Sequence, residues 1–299
     1  GYPAELGTVV HSDLFYFAKL CFAIFVDEST GYTLVAQLER PSRAQLEIAV
    51  KQCLARWSLQ EYTIRALHAD HENVYGSLQS FLYSKGIELV LSGPGRHNPY
   101  AEARIKIVKR IASAILQRIP YPLPASAFPR LIAQATESMN FRPNHRTGSA
   151  TPRELFTGKK LDGRKMLRYK FGDIVACSVP QNQRARHGTN AETAIYVGRD
   201  PVSPDSCRVL LLDHTPGQIV SRTTLQPLVP TPAILESIKR LATSNDDPDK
   251  PLLSESFTRL DGTPIADDPL LPEFTPDAAT PPSTDATTIP PSEPTVDSV

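Results

Sequence analysis

Residues 8–39 read TVVHSDLFYFAKLCFAIFVDESTGYTLVAQLE. This stretch contains three apolar runs, Thr8–Phe17, Leu20–Asp27 and Tyr32–Glu39, separated by short turn signals. Runs rich in β-branched and aromatic residues between such turns predict an antiparallel meander of three strands. The first run carries Asp13 in its middle. Because a buried carboxylate is costly unless it is paired or binds a metal, Asp13 is a candidate functional residue.

Helical and strand patterns alternate after the meander. The predicted elements are helix Arg43–Trp57, strand Ile64–Asp70, helix Ser77–Ser84, strand Ile87–Leu91 and helices Glu102–Ile119, Ser126–Met139 and Thr151–Phe156. Residues 92–100 (SGPGRHNPY) are rich in glycine and proline and are predicted to form a loop. This order predicts one mixed α/β domain over residues 1–160.

Two further regions follow the predicted core. Residues 161–228 have the pattern of a small β-rich module, a barrel or a sandwich. Its predicted strands are Ile174–Val179, Thr193–Val197, Arg208–Asp213 and Gln218–Ser221. Residues 229–299 are rich in Pro, Asp, Ser and Thr, which predicts disorder with one short helix at Ala233–Ala242.

The formal net charge of zero hides an asymmetry. Residues 241–299 contain 12 acidic and 2 basic residues, a net charge of −10. The rest of the chain contains 30 basic and 20 acidic residues, a net charge of +10. A basic body suits a polyanionic partner such as nucleic acid. The acidic tail either competes for the same surface or is simply solvated.

Three acidic residues have the placement that a two-metal phosphoryl-transfer site requires. Asp13 lies in the first predicted strand, Asp70 ends the fourth, and Glu102 opens a helix. Two carboxylates at strand ends and one on a helix can converge on a pair of divalent cations. The alternative for each acid alone is an ordinary strand-end or turn residue. Asp27 also ends an apolar strand, but the turn that follows it predicts a turn role.

The helix after residue 100 has a basic side. Glu102, Lys106, Lys109 and Arg110 are spaced to share one face, opposite an apolar stripe. Such a face either binds phosphates beside a metal or is an ordinary solvated surface with a weak ion pair. Further candidate nucleic-acid-binding residues are Arg96, Arg104 and, in the polar loop 140–148, Arg142.

Other kinds of chemistry have no signature in the sequence. The four cysteines lack the spacing of a zinc knuckle, and nothing indicates a disulfide framework, as expected of a reduced intracellular protein. Neither a glycine-rich phosphate loop nor the local signature of a Ser or Cys nucleophile is present. We expect no secretion signal and no membrane span, because no apolar run reaches about 18 residues.

Several segments together resemble the integrase of copia-type retrotransposons, a member of the retroviral integrase superfamily. They are HSDLF, FAIFVDESTGYTLVAQLERPS, LHAD, SFLYSKGIELVLSGPGRHNPYAEARIKIVKR and TPRELFTGKK, within residues 8–160. The later segment FGDIVACSVP and the strands after it resemble the β-rich region that follows the core in these elements. The order of the segments is more specific than any one of them.

The resemblance implies an RNase H-like core with a mixed five-stranded sheet between helices. It implies magnesium- or manganese-dependent processing of DNA 3′ ends and strand transfer into target DNA, with two metal ions. Asp13, Asp70 and Glu102 match the three catalytic, metal-binding acids, and Lys106 and Lys109 match basic positions that touch DNA ends. It also implies a homo-oligomer on DNA and action in the nucleus after synthesis in the cytoplasm.

The chain departs from the family pattern beside two of the acids. Residues 71–75 read HENVY where the family has Asn-Gly and an acidic-aromatic pair, and residues 97–101 read HNPYA where it favours Gln and Asn-Gly. The sequence is therefore expected to be a diverged copy and a fragment of a longer polyprotein. Two alternatives stay open: a catalytically impaired nucleic-acid-binding or scaffold protein, and an RNase H-like nuclease that cuts without joining.

Overall fold

A computed structural model of the chain describes residues 8–70, 73–93, 98–144, 147–160, 168–181, 190–200, 203, 205–213 and 215–244. The candidate residue Arg96 and residues 245–299 of the predicted disordered region 229–299 lie outside the described residues. No described helix is both long and apolar enough to cross a membrane.

The first 160 residues contain five strands and six helices within the described part of the chain. The strands are β1 (Thr8–Phe17), β2 (Leu20–Asp27), β3 (Thr33–Leu38), β4 (Ile64–Ala69) and β5 (Glu88–Leu91). The helices are α1 (Arg43–Ser58), α2 (Asn73–Gly76), α3 (Gln79–Ser84), α4 (Pro99–Arg118), α5 (Phe128–Asn140) and α6 (Pro152–Thr157). The predicted meander is confirmed, and its strand bounds differ by one residue at each end of β3.

The five strands form one mixed sheet in the order β3-β2-β1-β4-β5. Strand β1 pairs antiparallel with β2 and parallel with β4. Strands β2 and β3 also pair antiparallel, and β4 and β5 also pair parallel. A meander continued by two parallel strands is the sheet of the RNase H-like fold, which confirms the predicted fold class.

Helices cover both faces of this sheet. On one face a hydrophobic cluster joins the sheet to α1, α2 and α3 and includes Trp57 and Phe156. The Phe156 ring of α6 stacks on Tyr32 with centroids 4.0 Å apart and on Tyr62 with centroids 5.2 Å apart. Helix α6 is itself fixed by a capping box of Thr151 and Glu154. Phe156 therefore anchors the last helix of the core to the sheet.

A second sheet follows the core. Its strands β6 (Ile174–Ser178), β7 (Ala191–Arg199), β8 (Cys207–Leu211), β9 (Ile219–Arg222) and β10 (Leu225–Pro227) form an antiparallel sheet in the order β10-β6-β7-β8-β9. A last helix, α7, spans Pro232–Ser244, where the sequence predicts Ala233–Ala242. One face of the second sheet shares a hydrophobic cluster with α4, α5 and α7. The other face carries a smaller cluster of its own.

Candidate active site

The two candidate aspartates follow neighbouring residues of the paired central strands. Strands β1 and β4 run parallel, and Ser12 pairs with Ala69. Asp13 and Asp70 are the next residues on each strand. Since neighbouring strands lie about 4.8 Å apart, the two aspartates start from adjacent points where the pairing of β1 with β4 ends.

Both aspartates belong to the α4 face of the sheet. His11 pairs with His68, and the two rings meet edge-on with centroids 5.1 Å apart, so they lie on one face. Side chains alternate along a strand, which places Asp13 and Asp70 on that face as well. Phe15, two residues after Asp13, belongs to the hydrophobic cluster that includes residues of α4. The local sequence HSD thus directs Asp13 towards the helix that carries Glu102.

Asn98 connects the end of β4 to the start of α4. Its backbone N–H donates to Asp70 Oδ1 at 2.7 Å, and its Nδ2 donates to the His68 carbonyl at 3.1 Å. Its Oδ1 accepts from the Ala101 N–H at 3.4 Å, as the N-cap of α4. Asn98 is only 4% exposed. One buried side chain therefore fixes the helix start against the strand that delivers Asp70.

The histidine pair extends this connection. His11 Nδ1 lies 3.1 Å from Asn98 Oδ1, and His11 Nε2 lies 3.3 Å from Glu28 Oε2. The His11 ring stacks on Tyr100 of α4 at 4.6 Å, and Tyr100 donates its hydroxyl hydrogen to the Glu28 carbonyl at 3.0 Å. Burial and the neighbouring His11 lower the pKa of His68. The first turn of α4 is thus packed on the sheet beside the aspartates.

Glu102 lies in the first turn of α4 and is partly exposed. Carboxylate oxygens are the donors that magnesium takes, so the residue types of the proposed triad suit the metal. Among the described residues, however, no group of three or more His, Cys, Asp or Glu side chains is placed to hold a metal ion. The topology brings Asp13 and Asp70 to adjacent positions on β1 and after β4, while this conformation does not gather all three acids as ligands.

Lys109 lies on a different side of α4 from the one that the sequence predicts. It is 6% exposed and belongs to the buried face of the helix with Ile105 and Val108. Its Nζ lies 5.7 Å from the centroid of the Phe15 ring. Burial lowers the pKa of Lys109 to about 8, and the charge of Asp13 opposes that shift. Lys109 is therefore a buried cation near Asp13, and the prediction that it lies on the solvated face with Lys106 is wrong.

The other predicted DNA-binding cations differ in exposure. Lys106 and Arg110 are exposed on α4, and Arg142 is exposed just after α5. Arg104 is partly buried, and burial lowers its pKa. A Cβ added to Gly31, whose φ is 70°, would lie 2.7 Å from an Arg104 guanidinium nitrogen. Arg104 thus packs on the β2–β3 turn, while Lys106, Arg110 and Arg142 are exposed to solvent.

The low pKa of Lys109 makes the stability of the fold depend on pH. Between pH 8 and 10.5 the unfolded chain holds a proton on Lys109 that the folded chain has lost, so the contribution of Lys109 to stability rises with pH in that window. At about 1.4 kcal/mol per pKa unit the rise is about 3 kcal/mol. Urea unfolding at several pH values should show the slope of the wild type exceeding that of Lys109→Met by this amount, because the other titrating groups are common to both proteins. Lys106→Met is the exposed control and should keep the slope; equal slopes in all three proteins would contradict the burial.

Asp27 has the structural role that its turn predicts. Its side chain is 0% exposed. Oδ1 accepts from Ser29 Oγ at 2.6 Å and from the backbone and hydroxyl of Thr30 at 2.7 and 2.8 Å. Oδ2 accepts from Thr8 Oγ1 at 2.6 Å and from Trp57 Nε1 at 3.1 Å. These partners fully occupy the carboxylate, so Asp27 does not belong to the candidate site.

Sequence reasoning missed Asn98, His11, His68 and Tyr100 as parts of the site. The only local signal was Asn98 followed by Pro99, a helix N-cap with proline at the first helical position. That signal starts α4 at Pro99, three residues before the predicted start. The contacts of His11 with His68 depend on strand pairing and have no local signature.

Comparison with known proteins gives matches among solved structures. No family model matches the sequence, and no curated protein matches it. Among solved structures, the chain is similar to the catalytic core domain of BIV integrase at 17% identity, with a TM-score of 0.40. The alignment covers 50% of this chain and 93% of that chain. The assignment of the fold stands on the strand order described above.

Proposed function

We propose that this chain is an integrase-type polynucleotidyl transferase of the copia kind, which processes DNA 3′ ends and joins them to target DNA. The observation that carries the proposal is the placement of Asp13 and Asp70 on adjacent strands, on the face covered by the helix that bears Glu102. An RNase H-like sheet with acids at these points supports chemistry on phosphodiesters. The proposed site of action is the nucleus, with the protein otherwise in the cytoplasm.

Magnesium or manganese is the proposed cofactor, with two ions expected. Asp13, Asp70 and Glu102 would hold the ions, which when bound activate the attacking oxygen and stabilise the leaving one. Because the described conformation does not gather the three acids, the proposal includes the expectation that metal and DNA together draw them closer. Through its hydrogen bonds to Asp70 and to the first turn of α4, Asn98 would keep the two together as the acids approach the metal ions.

DNA is the proposed partner of the exposed cations beside the acids. Lys106 and Arg110 lie one and two turns after Glu102 on the exposed part of α4. Ammonium and guanidinium groups position a duplex through its phosphates and carry no sequence information. Lys106 and Arg110 would hold the DNA strand whose phosphate approaches Asp13 and Asp70, and a homo-oligomer would bring two DNA ends together.

A DNA-joining assay tests the proposal. The intact protein is incubated with short labelled duplexes and Mg²⁺ or Mn²⁺, and strands are separated by size. We expect strands shortened at the 3′ end and longer strands formed by joining. Bound DNA without either product, in both metals, would contradict the proposed activity.

A second candidate function is nucleic-acid binding without catalysis. The observation that favours it is the buried Lys109 near Asp13, because an ammonium there already offsets the charge that a metal would neutralise. The same assay separates the two candidates, since this one requires DNA binding with no metal-dependent product. Shortened strands without joined ones would instead indicate a nuclease.

A further inference from the structure

A band of arginines lies where α5 meets the second sheet. Its members come from five elements and are all partly exposed: Arg56 of α1, Arg130 of α5, Arg153 of α6, Arg199 of β7 and Arg208 of β8. We call these five residues the arginine seam. It does not include Lys106, Arg110 or any of the candidate acids.

Helix α5 forms the floor of the arginine seam. Arg130, Gln134 and Glu137 are spaced at i, i+4 and i+7 and therefore share one side of the helix. That side faces β7, because a Cβ added to Gly198 would lie 3.2 Å from Gln134 Oε1. The two ends of this row, Arg130 and Glu137, each meet further arginines.

At one end, two arginines share a single aspartate. Arg208 contacts Asp200 through Nε at 3.2 Å and through a terminal nitrogen at 3.3 Å. Asp200 also accepts a hydrogen bond from Ser221. Burial lowers the pKa of Arg130, the charge of Arg208 lowers it further, and Asp200 opposes both. One buried carboxylate thus faces two guanidinium groups, which leaves positive charge in excess.

At the other end, three arginines surround a single glutamate. Arg153 contacts Glu137 at 3.4 Å. Burial raises the pKa of Glu137, and the charges of Arg153, Arg199 and Arg56 oppose that rise. The two ends together contain five arginines and two carboxylates, an excess of three positive charges.

We propose that the arginine seam is a second DNA-binding surface that holds the phosphate backbone of a duplex. Like charges packed at one seam are unfavourable until an anion lies across them, and guanidinium forks match phosphate oxygens in geometry. The seam has arginines at both ends of the row on α5, around Asp200 and around Glu137, which suits a polyanion with phosphates spaced along it. This inference rests on the proposed function, since a strand transferase must hold two DNA molecules and α4 offers cations for one.

DNA binding as a function of salt tests the arginine seam. The variant Arg56→Gln/Arg130→Gln removes one charge at each end and no hydrogen bond shown in the structure. Binding of a labelled duplex by fluorescence anisotropy is measured in metal-free buffer over a range of salt concentrations. Each lost phosphate contact lowers the slope of log K against log salt by about 0.9. We therefore expect a slope smaller by about 2 and clearly weaker binding at low salt.

The control is Arg40→Gln/Arg43→Gln, which removes two exposed arginines before and at the start of α1. It should leave slope and affinity close to those of the wild type. An unchanged slope in Arg56→Gln/Arg130→Gln, or an equal change in the control, would contradict the proposal that the arginine seam binds DNA. Because no metal or product is involved, this outcome is distinct from failure of the joining assay, in which DNA is bound but no strand is cut or joined.

Discussion

Asp70→Asn is expected to lower the rate of DNA joining about 1,000-fold or more while leaving the fold intact. A carboxylate that holds a catalytic metal contributes several kcal/mol to transition-state stabilisation, and 1.4 kcal/mol corresponds to a factor of ten. Asparagine keeps the oxygen that accepts from the Asn98 N–H. The start of α4 therefore stays in place, and the unfolding free energy should change by less than about 1 kcal/mol.

Glu88→Gln is the matched control for Asp70→Asn. Glu88 is an exposed acid of β5 that pairs with Ala66 on the same strand that delivers Asp70. The change from carboxylate to amide is the same in both variants. Joining should continue at close to the wild-type rate in Glu88→Gln. Equal losses in the two variants, or normal joining by Asp70→Asn, would remove Asp70 from the site.

Asp27→Ala is expected to destabilise the fold by about 3–5 kcal/mol. The substitution leaves the buried donors of Thr8, Thr30 and Trp57 without their acceptor, and each orphaned buried donor costs about 1–3 kcal/mol. Urea unfolding followed by the fluorescence of Trp57, the single tryptophan of the chain, measures the loss.

Asp27→Asn separates hydrogen bonding from packing at this position. Asparagine keeps one acceptor oxygen, but its NH2 group is a donor only. One oxygen cannot replace both carboxylate oxygens, of which one accepts from the turn and the other from Trp57 Nε1. We expect the unfolding free energy of Asp27→Asn to lie between that of the wild type and that of Asp27→Ala. A loss below about 1 kcal/mol in Asp27→Ala would show that the turn tolerates the missing carboxylate. Asp27 is for the same reason unsuitable as a neutral control in activity assays.

The sequence predicted the sheet well because its evidence is local. Three apolar runs with turns between them specify a meander. The turn sequence after Asp27 likewise indicated that this residue has a structural role. The side of α4 that Lys109 occupies was not predictable in the same way. Lys109 directly follows Val108 of the apolar stripe and precedes Ala112 by three residues, so it lies at the border of the buried face. In the structure Lys109 lies on the buried side, with its ammonium beside the Phe15 ring.

Long-range contacts explain the remaining differences. His11 meets His68 because β1 and β4 pair in one register, and nothing near either histidine encodes that register. The second sheet was predicted as a separate small module, but alternation along its strands does not show what covers each face. In the structure one face shares its apolar cluster with α4 and α5. This packing brings the arginines of the second sheet next to α5.

Binding of Mn²⁺ tests the central claim, that Asp13 and Asp70 form a divalent-metal site with Glu102. The intact protein, with a DNA duplex present, is titrated with Mn²⁺ and free metal is followed by electron paramagnetic resonance. We predict saturable binding of two ions in the wild type and in Glu88→Gln, and its loss in Asp13→Asn and Asp70→Asn. Absence of saturable binding in the wild type, or unchanged binding in Asp13→Asn, would contradict the account.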